Sequence, residues 1–309
     1  MADGSQAPTM PITKLSRPRL TLGLLLLASV IIGWQPLRAT FLLALHDDQY
    51  THLLLILPLS VAMAFLDWPR VRELVAPSFI IGSAILGVAL VFAIASVALG
   101  GSLPSDVGLS VRMFALVLFW IGSSVFCLGS RVCRALVFPL CFLFWLVPTP
   151  RVMLTSIIHL LQQGSTLCAH WMFAAFGVPV SQDGFVLTIP GLSVEVAQEC
   201  SSIRSSSMLL VTTMILAQVL LRSPWRKALI IAIAVPLSVA KNGLRIFTIA
   251  MLGTRVDPAY LTGRLHHQGG IIFFVAALIV VLGGISLLRR GEGQAMANGI
   301  AVRSGIAEV

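Results

Sequence analysis

The chain has 309 residues, of which 57% are hydrophobic and only 11% charged. Soluble domains carry roughly 25% charged residues, so this composition excludes a soluble globular enzyme and a disordered regulator. The net charge of +9, from 21 Lys and Arg against 12 Asp and Glu, would point to nucleic acid if the basic residues formed a stripe. They stand instead in small groups between apolar runs, as membrane topology demands, so no nucleic-acid partner is expected and the solvent is lipid.

Residues 1–19 are polar, with Pro8, Pro11 and Pro18, and read as a cytoplasmic N-terminal tail. The apolar run that follows has no small-residue cleavage site, so it reads as an uncleaved span rather than a signal peptide. A spanning helix needs about 20 apolar residues. Candidate spans are 20–37, 51–66, 77–99, 109–128, 135–147, 202–221, 228–252 and 269–288, the fifth of them short. Between the fifth and sixth, 152–176 carries His159, Gln162, Gln163, Thr166 and His170 at helical spacing. One face of that helix is polar and the other apolar, which suits either the interface or the interior of a bundle.

Charge decides the sidedness. With Lys14, Arg17 and Arg19 inside, the pairs Arg70/Arg72 and Arg131/Arg134 also fall inside. The groups Arg222/Arg226/Lys227 and Arg289/Arg290 join them only if 152–176 adds no full crossing. The expectation is an all-α polytopic membrane protein. It has about eight transmembrane helices, an interfacial or re-entrant helix at the outer face, and both termini in the cytoplasm. Residues 20–290 form one integral membrane domain with an outer-face loop at 177–200. Residues 291–309 are rich in small residues and read as a disordered cytoplasmic tail. Within the loop, 186–189 and 193–196 are β-favouring runs separated by Pro190-Gly191, a short hairpin signal.

Cys127, Cys133, Cys141 and Cys168 lie in or beside apolar runs without metal-ligand spacing and read as packing residues. Cys200 differs. With Glu199 it stands at the mouth of the sixth span, and Arg204 follows four residues later. The seventh span carries Lys241, Asn242 and Arg245, and charges inside a span are costly enough to mark function. Arg245 lies seven residues before Leu252, about 10 Å below the outer end at 1.5 Å per residue. His266 and His267 stand at the outer mouth of the last span.

Span parity thus brings Cys200, Arg204, Arg245 and His266 or His267 to one side of the membrane. A thiol is a strong nucleophile once ionised, and a nearby imidazole or guanidinium lowers its pKa. A guanidinium can stabilise an oxyanion, and an imidazole can protonate a leaving amine. No metal or cofactor is called for. The competing reading is a small-molecule or polysaccharide transporter or export component, with Lys241 and Arg245 binding an anion and no covalent chemistry.

At these residues the sequence resembles the exosortase/archaeosortase family of membrane cysteine transpeptidases. The signature region resembles EVAQECSSIRSS, residues 195–206, with Cys200 matching the nucleophile. The N-x-x-R-I element is matched by Asn242, Arg245 and Ile246, and the histidine element by HHQGGIIFF, where spacing favours His266 over His267. Weaker echoes are Tyr50-Thr51-His52 and the run FPLCFLFWLVPTP at 138–150. Ser202 departs from the family pattern, which has Gly there.

The resemblance implies catalytic roles for Cys200, Arg245 and His266 (or His267), and substrate-binding or supporting roles for Arg204, Asn242 and Glu199. The histidine in the third role is the bacterial type, which implies the bacterial inner membrane with the active site on its periplasmic face. The implied partners are exported proteins bearing a Pro-Glu-Pro-like motif, a transmembrane helix and a basic cluster, together with membrane lipids and an unknown surface acceptor. Bacterial members often accompany exopolysaccharide production.

Overall fold

The structure is a computed structural model that describes residues 12–196, 203–262 and 270–306. It divides into two compact units, Met1–Arg151 and Val152–Val309. Six helical stretches among the described residues are long and apolar enough to cross a membrane, and two bent helix pairs raise the number to as many as eight. The eight correspond in order to the eight expected spans.

In the first unit, α1 (Ile12–Ile32) and α2 (Trp34–His46) replace the single expected span at 20–37. The helix bends by 70° between them. Pro36 sits in the first turn of α2, where its ring has no N–H to donate and would clash with the preceding helical turn. After α3 (Leu53–Val71), α4 (Phe79–Ala98) packs along α5 (Ser105–Leu128). Ile80 is 87% exposed and Val97 81% on α4, apolar surface that water would not tolerate and lipid tails accept. The short run 135–147 folds as α6 (Ser130–Ala135), α7 (Val137–Phe142) and a 3-10 turn, Leu143–Leu146.

The second unit opens on α8 (Arg151–Ala175), the helix with the polar face. An interfacial helix turns that face to water, but here Gln162, Ser165 and Thr166 are buried while Leu160, Leu167 and Trp171 are exposed. Gln162, Ser165 and Thr166 therefore face the interior, while His159 and Gln163 of the same polar set are exposed. Beyond it the expected hairpin forms as β2 (Val186–Ile189) and β3 (Leu192–Glu195), and β1 (Ser181–Asp183) adds a third antiparallel strand. The sequence showed no sign of β1, because Ser181, Gln182 and Asp183 are all exposed and carry no apolar alternation. The β2–β3 turn places Gly191 at φ +85°, the left-handed conformation that a glycine after proline adopts freely.

The sheet is a cap with an apolar underside. Leu187, Ile189 and Val196 pack with Ala169 and Phe173 of α8, and with Ile246 and Ala250 of α10 (Pro224–Arg255). A separate cluster joins α9 (Ile203–Leu220), α10 and α12 (Gly270–Ile306) through Leu209, Ala217, Ile230, Ala277 and Ile285. A short helix, α11 (Ala259–Thr262), follows α10. The helix α12 runs on to Ile306, past the expected end of the last span at 288. Glu292 explains its first extra turn: its carboxylate accepts from the backbone N–H of Ser223 at 2.7 Å and of Arg222 at 3.1 Å.

Candidate active site

The candidate site belongs to the second unit and is built where α8, α9 and α10 meet. Cys200, Glu199, His266 and His267 lie outside the described residues, as does Ser202. Arg204, Arg245 and Asn242 are described. The frame on which Cys200 is strung therefore has a geometry, at Val196 before it and Ile203 after it.

The frame begins with a close helix contact. A Cβ added at Gly243 would lie 2.7 Å from Cys168 Cβ and 3.0 Å from its Sγ, so only glycine lets α10 approach α8 at this level. The approach brings Asn242 against Ser165, and the Asn242 amide donates to Ser165 Oγ at 3.0 Å. Asn242 is 1% exposed. Its Oδ1 has no partner among the described residues.

Two more buried polar side chains reach the borders of the Cys200 segment. The Gln162 amide of α8 donates to the Val196 carbonyl. Val196 is 1% exposed, and its own N–H donates to the Phe185 carbonyl at 2.9 Å. On the other border the Lys241 ammonium of α10 donates to Ser205 Oγ in the first turn of α9. Lys241 is 6% exposed, deep for an amine, and the Ser205 hydroxyl receives its Nζ.

Arg245 follows Lys241 by one helical turn and is half-buried, while Arg204 in the first turn of α9 is exposed. Because α10 runs to Arg255, three residues past the expected end, Arg245 sits about 15 Å from the helix terminus rather than about 10 Å. It is next to Ile246, which anchors α10 under the sheet. Sequence reasoning named Arg204, Asn242 and Arg245. It missed Gln162, Ser165 and Ser205 as frame residues and gave Lys241 a role only in the competing anion-binding reading. The polar periodicity of 152–176 held the signal for Gln162, but it could not say which way the face turned.

The other cysteines differ in setting. Cys127 and Cys133 are buried, and burial pushes the Cys133 thiol up to about 12, so it stays protonated and inert at neutral pH. Cys168 packs against Gly243.

The first unit joins the two weaker sequence echoes. Tyr50 donates its phenolic O–H to the Thr149 carbonyl at 2.8 Å, and the His52 ring meets Trp145 edge to face at 6.1 Å. Ser110 holds the Pro148 carbonyl at 2.6 Å, and Asp106 accepts from the Arg151 N–H at 2.8 Å. An apolar cavity of about 580 Å³ also opens in this unit, lined by residues that include Leu26, Trp34, Phe41 and Trp120, with Arg38 the one charge. Its two lining serines, Ser60 and Ser124, are occupied by the carbonyls of Pro139 and Trp120.

The family model described as transmembrane exosortase (Exosortase_EpsH) matches residues 43–283. That match spans both units and contains every candidate site residue. No curated protein and no solved structure matches the chain.

Proposed function

Because the chain belongs to the transmembrane exosortase family, whose membership implies processing of proteins that carry sorting signals, we propose that it is a cysteine peptidase or transpeptidase acting on exported proteins. It is a multi-pass membrane protein. In this reading it sits in the bacterial inner membrane with both termini cytoplasmic and the site on the periplasmic face. Its substrates carry a Pro-Glu-Pro-like motif, a transmembrane helix and a basic cluster, and it serves surface anchoring linked to exopolysaccharide production.

The Cys200 thiolate attacks the substrate carbonyl next to the motif. A carbon–sulfur bond forms, and Arg245 stabilises the oxyanion. The carbon–nitrogen bond then breaks, and His266 (or His267) passes the thiol proton to the leaving amine. An acceptor amine or water releases the thioacyl group. Arg204 receives the acidic residue of the motif, with Glu199 and Asn242 in support. The observation that supports the reading is a set of buried polar side chains, Gln162 and Lys241 at the two borders of the segment that holds Cys200 and Asn242 between α8 and α10.

The test is Cys200→Ala expressed at normal level. Full-length sorting-signal protein accumulates, as read by mass spectrometry of its C-terminus. Normal processing by that variant would sink the proposal.

A further inference from the structure

We infer that Gln162 and Lys241 are positioning residues that fix the two borders of the Cys200 segment, Gln162 through the Val196 carbonyl and Lys241 through Ser205 Oγ. The inference rests on the reading of Cys200 as nucleophile, and it adds two residues to which that reading gives no role.

The chemistry of the donors supports it. Val196 has one carbonyl, buried at the end of β3, and an unpaired buried carbonyl costs the full desolvation of that group. Gln162 satisfies it with an amide N–H, leaving its own Oε1 without a partner among the described residues. A lysine ammonium has donors and no acceptor, so Ser205 is the acceptor and keeps its own hydroxyl hydrogen to give elsewhere. A neutral side chain could bridge to Ser205 without the cost of burying a cation. Lys241 there supplies an amine donor to Ser205 in the first turn of α9.

Both donors come from helices that are themselves locked together. Gly243 permits the α8–α10 contact and Asn242–Ser165 ties it. A displacement of α8 against α10 would therefore move both borders at once. Catalytic groups need placement within a fraction of an ångström, supplied by neighbours whose own rotamers are locked.

The test uses full-length protein in lipid nanodiscs and a co-expressed reporter with a Pro-Glu-Pro motif, a transmembrane helix and a basic cluster. Gln162→Glu keeps an acceptor but loses the donor, and Lys241→Met keeps the length but loses donor and charge. Each is expected to speed amide hydrogen exchange in peptides covering 194–207 by about tenfold, with exchange in α12 unchanged. Each is expected to slow reporter processing by about tenfold or more. Lys241→Arg restores both to within about threefold, because a guanidinium can still donate to Ser205. Gln163→Glu, at an exposed neighbour on α8, behaves as wild type.

Wild-type exchange at 194–207 in both donor variants overturns the inference, even where Cys200→Ala is inactive. Normal processing by Cys200→Ala overturns the nucleophile reading, while the exchange result still judges the borders. Should Gln162→Glu or Lys241→Met unfold the whole chain, Ser205→Ala decides: local loosening at 203–207 supports the inference, and wild-type exchange refutes it.

Discussion

The two units arrange their polar groups differently. In the first, hydroxyls and a carboxylate fasten the backbone of one irregular stretch: Tyr50 to Thr149, Ser110 to Pro148 and Asp106 to Arg151. These bonds satisfy groups that a helix would otherwise satisfy, in a stretch where Pro148 and Pro150 forbid one. Both units also join helices side chain to side chain, Trp120 with Ser29 in the first and Asn242 with Ser165 and Lys241 with Ser205 in the second. Unpartnered buried oxygens occur in both, at Thr40 and Ser123 as at Gln162 and Asn242, so they do not by themselves distinguish the units. What distinguishes the second is that charged and amide groups converge on the borders of one short segment. The comparison teaches that polarity inside a membrane protein marks a site when several buried groups converge on the borders of one short segment, and marks scaffold when each bond serves a separate element.

The strongest challenge to this contrast is Arg245→Ala. Loss of an oxyanion donor is expected to reduce processing about 100-fold or more at unchanged expression and thermal stability. A first-unit substitution with an equal effect at unchanged stability would erase the distinction. Next comes Gly243→Ala. The added methyl meets Cys168 Cβ at 2.7 Å, and the overpacking is expected to cost about 1–3 kcal/mol in thermal unfolding, with processing reduced as well. Adding Cys168→Gly removes the obstructing atoms, so part of both losses should return. If it does not, the α8–α10 contact is not the cause. The smallest effect is assigned to Tyr50→Phe. It removes one hydrogen bond to a carbonyl and is expected to cost about 1 kcal/mol, seen as a lower unfolding midpoint. Processing at permissive temperature should stay within about twofold. A large loss would mean that the Tyr50–Thr149 bond serves the reaction and not only the scaffold.

The sequence by itself determined the solvent and the approximate number of spans, and it named Arg204, Asn242 and Arg245 as candidates. Long apolar runs can satisfy their backbone in lipid only as helices, so about eight spans followed from composition and spacing, against six to eight in the structure. The Pro190-Gly191 turn was legible because its chemistry is local. Asn242 and Arg245 were visible because charge and amide inside a span are rare. Three features needed the tertiary structure. The direction in which α8 turns its polar face depends on what packs against it, and periodicity records only that two faces exist. Strand β1 has exposed side chains, so its pairing with β2 rests on backbone hydrogen bonds that leave no pattern in the sequence. The roles of Gln162 and Lys241 arise from partners 34 and 36 residues away. Such contacts are set by the close approach of helices at Gly243, a property of packed backbones that no single segment of sequence contains.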